Sequence, residues 1–182
     1  LALVGATYAN GYVKNKVMEF VGPGVASLSA DCRNGIDCMT TETTCWSSIW
    51  QTDGVTEEYL AGHGRADAYK ELKPADVAYY DGCIELDLSK IECMIALPMH
   101  PSYAYPIREL KANAKDLLHE IETRANEQLS GKVKMDLVSK VRADGSIYVD
   151  QGIVAGCSGG TYENLCAVAD ITVIDNADDS YA

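Results

Sequence analysis

The sequence predicts an α/β protein with helices and strands in stacked α/β/α layers. Three observations lead to this prediction. Short apolar runs typical of strands alternate along the chain with segments of helical periodicity. Apolar residues make up 47% of the 182 residues, which is enough for a hydrophobic core. Neither an internal repeat nor a low-complexity tract interrupts the pattern.

The first fifty residues are predicted to form two strands, a helix and a third strand. Residues 1–5 and 16–21 carry short apolar runs, and Gly22-Pro23-Gly24 then turns the chain. A helix is predicted to include 39–47, and residues 47–50 extend again. On that helix Cys38, Glu42 and Cys45 would share one face, because their spacing is four and three residues.

The next segment is predicted to contain two helices and a strand. Residues 56–60 and 65–72 have helical patterns, the second stopped by Pro74, and 79–88 is predicted to be a strand. Three prolines then fall within nine positions, at 98, 101 and 106, which favours an irregular connection. We therefore expect a module boundary there, with one module over 1–97 and a second over 98–182.

Residues 107–129 have the clearest periodicity in the chain, and we predict one long amphipathic helix that ends near Gly131. The segments 132–141 and 146–155 are predicted to be strands joined by a hairpin turn at 143–145.

Cys157 lies where this last apolar run gives way to a helical pattern over 162–169. The flanking sequence, Ala155-Gly156-Cys157-Ser158-Gly159-Gly160, lets the backbone approach a bound group. Free N–H groups of a first helical turn favour a negative atom such as a thiolate. Cys157 is therefore the candidate metal ligand or nucleophile, set against the simpler interpretation of a small residue in a tight junction.

Charge and cysteine content exclude several classes of protein. The formal charge of −12 argues against partners that need clustered Lys and Arg, namely nucleic acid and anionic membrane surfaces. No apolar run reaches the ~20 residues that span a bilayer. Seven scattered cysteines do not suggest a disulfide framework, which favours a cytoplasmic location. The spacings of Cys32, Cys38 and Cys45 match no common structural zinc pattern.

Four collinear segments resemble the aconitase family of hydro-lyases. Ala155–Gly159 resembles the family's Gly-Ser-Cys-Thr-Asn element, with Gly159 in place of the asparagine. Val21-Gly22-Pro23-Gly24-Val25 is similar to its Gly-Pro-Gly-Val turn, and residues 36–42 to its Asn-x-x-x-Glu helix. Gly64-Arg65 and residues 80–89 are similar to its Gly-Arg segment and to a strand that ends in Asp/Asn-Leu-Ser. The resemblance implies an α/β/α fold with a mixed sheet.

The resemblance also implies roles for three residues. Cys157 matches the first cysteine ligand of a [4Fe–4S] cluster, and Glu42 matches the catalytic glutamate beside the open iron. Cys38 stands at a cofactor-facing position where the family has asparagine, which places citrate-type specificity in doubt. The implied reaction is dehydration and rehydration of a small hydroxy polycarboxylate.

We expect this chain to be a piece of a longer protein. The family's enzymes are several times longer, and their C-x-x-C pair of further ligands has no counterpart in this sequence. The isolated chain is therefore expected to hold no cluster and to be inactive, and its partners would be the remaining domains of the same polypeptide.

Two other function classes stay open from the residues alone. Cys157 could be the nucleophile of a thiol enzyme with His63 or His100 as its base. Alternatively, Gly156, Gly159 and Gly160 could cradle a phosphate or carboxylate in a non-enzymatic binding module. Apart from that alternative, His63, His100 and His119 are interpreted as ordinary loop or surface residues.

Overall fold

The structure, a computed structural model, describes residues 1–173 and shows an α/β protein, as predicted. Its helices, numbered in chain order, are α1 (Ala2–Thr7), α2 (Ala30–Thr40), α3 (Gly54–Gly62), α4 (Ile107–Ala112), α5 (Ala114–Gln128), α6 (Gly156–Gly159) and α7 (Tyr162–Val173). Its strands are β1 (Val17–Phe20), β2 (Ser47–Trp50), β3 (Met94–Ala96) and β4 (Ala104–Pro106). Short 3₁₀ helices lie at Pro23–Ser27, Thr41–Thr43, Ala66–Ala68, Leu88–Lys90 and Val138–Lys140. Within the described residues, no helix is both long enough and apolar enough to cross a bilayer.

The contacts divide the chain into two compact units. The first contains residues 1–14, 42–44 and 88–152, and the second contains 15–41, 45–87 and 153–182, of which the structure describes up to 173. Both units are discontinuous in sequence and cut across the modules 1–97 and 98–182, which remain a prediction.

The first unit is built around helix α5. Its core is a buried cluster of Leu97, Leu110, Leu118 and Ile121, against which tyrosines and aliphatic side chains from 103–147 pack. Strands β3 and β4 form an antiparallel pair beside it, with Ile95 opposite Tyr105. The amphipathic periodicity correctly predicted this helical region, although Asn113 divides it into α4 and α5.

Several predicted elements of the first unit are wrong. Residues 1–5 are mostly helix α1 instead of a strand, because Val4 and Thr7 share one buried face at a spacing of three. The predicted hairpin of 132–141 and 146–155 is reduced to one antiparallel bridge, between Val141 and Ile147. The turn itself forms, with Arg142 N donating to Ser146 O at 2.8 Å. No neighbouring strand extends this bridge into a sheet within the described residues.

The second unit contains the parallel pair of β1 and β2, in which Phe20 lies opposite Trp50 and their rings stack at 4.2 Å. Both strands and helix α3 were correctly predicted. Residues 79–88 contain no strand, and 65–72 contain only the 3₁₀ turn Ala66–Ala68. Most side chains in these two segments are exposed, so no packing supports the pattern that the sequence suggested.

Candidate functional site

Helix α2 carries Cys38, and side chains fix both of its ends. Ser29 caps the start by accepting a hydrogen bond from Cys32 N at 3.0 Å. At the other end the hydroxyls of Thr40 and Thr41 donate to carbonyls three residues back, at 2.7 and 2.8 Å. Such bonds compete with the backbone ladder, and α2 ends at Thr40.

The end of α2 corrects the predicted helix over 39–47. Glu42 lies in the following 3₁₀ turn, and Thr44 has a positive φ of 62°. Cys45 follows that turn and donates its thiol hydrogen to the Thr40 carbonyl at 3.3 Å. Cys38, Glu42 and Cys45 therefore do not share one helix face.

Cys157 lies in the single turn α6, which packs against α2. Gly156 opens this turn with a φ of 85°, a conformation that favours glycine. Ser158 donates its hydroxyl hydrogen to the Gly35 carbonyl at 3.2 Å, and Asn164 donates to the Ser158 carbonyl at 3.0 Å. The predicted strand before Cys157 is absent, and the contacts of Ser158 with α2 and α7 position the turn instead. Cys157 is exposed, as expected.

The Cys38 and Cys157 side chains come together where α6 packs on α2. Burial raises the pKa of the Cys38 thiol, and hydrogen bonding to the Cys157 thiol raises it further. The structure thus brings together two of the three predicted site residues. Glu42 belongs to the other compact unit, and its placement on a common surface with Cys157 remains a prediction.

An open cleft of about 660 Å³ lies beside Cys157 in the second unit. Its lining residues are Ser29, Ala30, Asp31, Asn34, Tyr59, His63, Cys157, Thr161, Tyr162 and Glu163. Asp31 accepts from Glu163 N at 3.0 Å, and Ser29 donates to the Glu163 carboxylate, so these carboxylates also bind α2 to α7. Two carboxylates at a cleft repel anions, which argues against the anion-binding alternative.

His63 lines the same cleft as Cys157. Its Nδ1 lies 2.7 Å from the Tyr59 carbonyl, and its ring contacts the Tyr59 ring at 4.3 Å between centroids. Because a carbonyl only accepts, Nδ1 carries a proton there. Among the described residues the structure records no hydrogen bond from His63 to Cys157, which the thiol-enzyme alternative requires.

Glu42 has a partner in the first unit that sequence reasoning missed. His100 Nε2 lies 3.8 Å from Glu42 Oε2, and both side chains are partly exposed. Tyr8 stacks on the imidazole at 4.0 Å, and Ser102 N donates to its Nδ1 at 3.1 Å. Since Nδ1 accepts, neutral His100 carries its proton on Nε2, toward the carboxylate. No spacing in the sequence connects His100 with Glu42, because the contact is purely tertiary.

Arg33 is a second residue that the sequence did not single out. Its guanidinium forms a bidentate pair with Asp53 at 2.8 and 2.9 Å and donates to the carbonyls of Val25 and Leu28 at 2.8 and 3.1 Å. The Arg33 hydrogen bonds hold the pKa of Asp53 below its usual value. Asp53 also caps α3 by accepting from Thr56 N, so Arg33 connects α2 with α3 and the Gly-Pro-Gly turn.

Within residues 1–173, no group of three or more His, Cys, Asp or Glu side chains could hold a metal ion. Cys157 nevertheless has the properties of a single ligand, because it is an exposed residue with a free thiol that lines an open cleft. Thiolate is the ligand type that iron–sulfur clusters use. The remaining cluster ligands would have to come from residues outside 1–173.

Comparison with known proteins identifies the family. A model of the aconitase family (aconitate hydratase) matches residues 1–180. The chain is 29% identical over 154 residues to the 2,3-dimethylmalate dehydratase large subunit of Eubacterium barkeri, which covers 85% of this chain and 29% of that protein.

Two 3-isopropylmalate dehydratase large subunits are also similar. That of Pyrococcus furiosus is 29% identical over 171 residues, which covers 94% of this chain and 32% of that protein. That of Clostridium kluyveri is 34% identical over 110 residues, covering 60% of this chain and 26% of that protein. The chain spans less than a third of the length of these relatives.

Proposed function

Because the chain belongs to the aconitase family, we propose that it is the segment of an iron–sulfur hydro-lyase that supplies Cys157 as a cluster ligand and Glu42 as a catalytic carboxylate. The observation that carries this proposal is that Cys157 is an exposed residue that lines an open cleft. A [4Fe–4S] cluster, when bound, supplies an open iron that acts as a Lewis acid toward a substrate hydroxyl.

The chain's own residues would position Cys157 as a ligand for the cluster. Gly156 sets the backbone so that Cys157 faces outward, and the Ser158 bond to Gly35 anchors it to α2. Cys38, in contact with Cys157, would lie on the cofactor side. Asp31 and Glu163 leave the cleft acidic, so positive charge for a carboxylate substrate would come from the metal and from arginines elsewhere in the protein.

Glu42 would act on protons with the help of His100. The imidazole presents its Nε2 proton toward the carboxylate, and Ser102 and Tyr8 hold the ring in that orientation. A carboxylate so placed can accept a proton from a substrate hydroxyl or from water and return it in the reverse reaction. The substrate would be a small hydroxy polycarboxylate, a class supported by the names of the dimethylmalate and isopropylmalate dehydratases.

We also propose that the remaining domains of the same polypeptide complete the site, and that the protein works in the cytoplasm. The seven cysteines are thiols in the structure, as a reducing compartment would keep them.

The ligand role is tested in the full-length protein purified without oxygen. Cys157→Ser should remove the iron and the visible absorbance of the cluster, because a hydroxyl is a poor iron ligand beside thiolates. Cys166→Ser is the matched control, since Cys166 is also an exposed cysteine of the second unit. Equal iron content in Cys157→Ser and wild type would contradict the proposal.

The role of Glu42 is tested by the turnover of the same protein. Glu42→Gln should keep the cluster but lower kcat by a factor of about 10² or more, as expected for loss of a group that acts in the transition state. Glu127→Gln, at an exposed position on α5, is the control and should leave kcat unchanged. Normal turnover of Glu42→Gln would remove Glu42 from the site.

A further inference from the structure

We propose that Cys38 and Cys157 form a reversible disulfide, which makes this pair a redox modification site. The two residues are far apart in sequence, yet α6, which carries Cys157, packs on α2, which carries Cys38. Ser158, next to Cys157, donates its hydroxyl hydrogen to the Gly35 carbonyl of α2 at 3.2 Å. Both belong to the second compact unit. The pair itself does not depend on the proposed catalytic function.

The backbones of α2 and α6 approach each other closely at this junction. A disulfide requires Cα atoms about 4.4–6.8 Å apart, so the two segments must nearly touch. A Cβ built on Gly35 would lie 3.3 Å from the Ser158 carbonyl oxygen, tighter than an ordinary contact, which shows how closely α6 approaches α2. Cys38 lies three residues after Gly35, on the same side of the helix, and Cys157 is adjacent to Ser158.

An oxidant in solution can reach this pair of cysteines through Cys157. Cys157 is exposed and lines the open cleft, whereas Cys38 is half-buried and is not among the residues that line it. An incoming oxidant would therefore meet Cys157 first, and Cys38 would be positioned to resolve the product. Exposure of one thiol with a second thiol next to it is typical of redox-sensitive pairs.

The oxidant we name is a low-molecular-weight disulfide, such as oxidised glutathione. The Cys157 thiolate attacks one sulfur of that disulfide, which forms a mixed disulfide and releases one small thiolate. The Cys38 sulfur, after losing its proton to water, then attacks Cys157 Sγ and releases the second. Overall, two protein thiols become one disulfide and one small disulfide becomes two small thiols, so electrons and protons balance.

The disulfide would have a consequence for the proposed cofactor, and this consequence rests on the proposed function. A sulfur atom in a disulfide has no thiolate electrons to donate to iron, so the oxidised pair would not accept a cluster. Asparagine at position 38, as in the family's pattern, could not form the bond.

The test for the disulfide uses the full chain and needs no cluster. The reduced protein is equilibrated in glutathione buffers of increasing oxidised fraction, quenched in acid, alkylated and digested, and the peptides are identified by mass spectrometry. We expect loss of two alkylatable thiols out of seven, with a linkage between Cys38 and Cys157 that excess reduced glutathione reverses.

Variants decide whether the linkage is specific. Cys38→Asn, Cys38→Ser and Cys157→Ser should each abolish it, whereas Cys45→Ser and Cys166→Ser should leave it unchanged. Two different replacements at position 38 guard against a folding defect, which circular dichroism would reveal. If the first pair to form joins other cysteines, or if Cys38 and Cys157 stay reduced throughout the titration, the proposal is wrong.

A second measurement separates this inference from the proposed function. Preoxidation of full-length apoprotein should lower its iron uptake in wild type in proportion to the Cys38–Cys157 linkage, whereas Cys38→Asn should instead retain glutathione on Cys157, which mass spectrometry detects. If the linkage forms and iron uptake is unaffected, the disulfide stands and the ligand role of Cys157 fails. If Cys157→Ser loses iron but no linkage forms in wild type, the ligand role of Cys157 stands and the disulfide proposal fails.

Discussion

Replacement of Arg33 by methionine should destabilise the second unit strongly. The Arg33 side chain is 5% exposed and Asp53 is 23% exposed, so water replaces their interaction only in part. Methionine keeps the apolar stem but removes every donor of the guanidinium. The Val25 and Leu28 carbonyls then lose their charged partner, and the Asp53 carboxylate loses it too but keeps its capping bond from Thr56 N.

The expected loss in the free energy of unfolding follows from the carbonyls and the carboxylate that Arg33 no longer contacts. Removing one member of a buried ion pair destabilises a protein by about 3–5 kcal/mol, and an unsatisfied carbonyl such as that of Leu28 adds about 1–3 kcal/mol when water cannot reach it. The Val25 carbonyl keeps the hydrogen bond that it accepts from Leu28 N at 3.1 Å. Partial exposure of Asp53 reduces the first figure. We therefore expect a loss of about 3 kcal/mol in the free energy of unfolding.

Urea unfolding at neutral pH, followed by far-UV circular dichroism, measures this change. The matched control is Arg108→Met, because Arg108 also forms a bidentate pair, with Glu92 at 2.5 and 2.9 Å, but its side chain is 76% exposed. An exposed pair contributes little to stability, because water and salt screen the two charges. A cost for Arg33→Met no larger than that of Arg108→Met would refute the argument from burial.

Three further predictions concern stability. Arg33 lowers the folded pKa of Asp53 below its usual 3.8, so the stabilisation from the ionised Asp53 is fully present above pH 3.8 and is lost as pH falls through the folded pKa. In urea titrations at several pH values, Asp53→Asn should lack this pH-dependent part of the free energy of unfolding. Ile121→Ala should cost about 2–5 kcal/mol in the same assay, because Ile121 is 1% exposed, and a cost below that of an exposed-site control would contradict this. Asn126 bonds both Met135 N and Met135 O, at 2.7 and 3.1 Å, so Asn126→Ala should speed hydrogen exchange at Met135 N; unchanged exchange would show that the bond is not protective.

Local patterns predicted the elements whose own sequence carries a strong signal. The apolar periodicity of 107–129 gave the helical region around Leu118 and Ile121, since a helix buries one face at fixed spacing. The runs at 16–21 and 47–50 gave β1 and β2. The segments at 79–88, 132–141 and 146–155 carried similar apolar runs, but among the described residues no strand forms in them beyond the Val141–Ile147 bridge.

Of the candidate site, the sequence predicted Cys157, Cys38 and Glu42, because the family resemblance assigns residue types to given positions. It did not identify His100 beside Glu42 or Arg33 beside Asp53, since those contacts join residues with no regular spacing. The sequence pattern also did not predict where α2 ends. The hydroxyls of Thr40 and Thr41 donate to carbonyls three residues back, and α2 ends before Glu42.

The sequence by itself determined the α/β class, the family and the exposed thiol at position 157. These depend on residue types and on periodicity, which the chain carries locally. Only the tertiary structure decided that Cys38 and Cys157 touch, that His100 faces Glu42 and that Arg33 is buried with Asp53. Each of these is a contact between distant segments, and such contacts form because packing of apolar faces brings the segments together, not because of any spacing between the residues themselves.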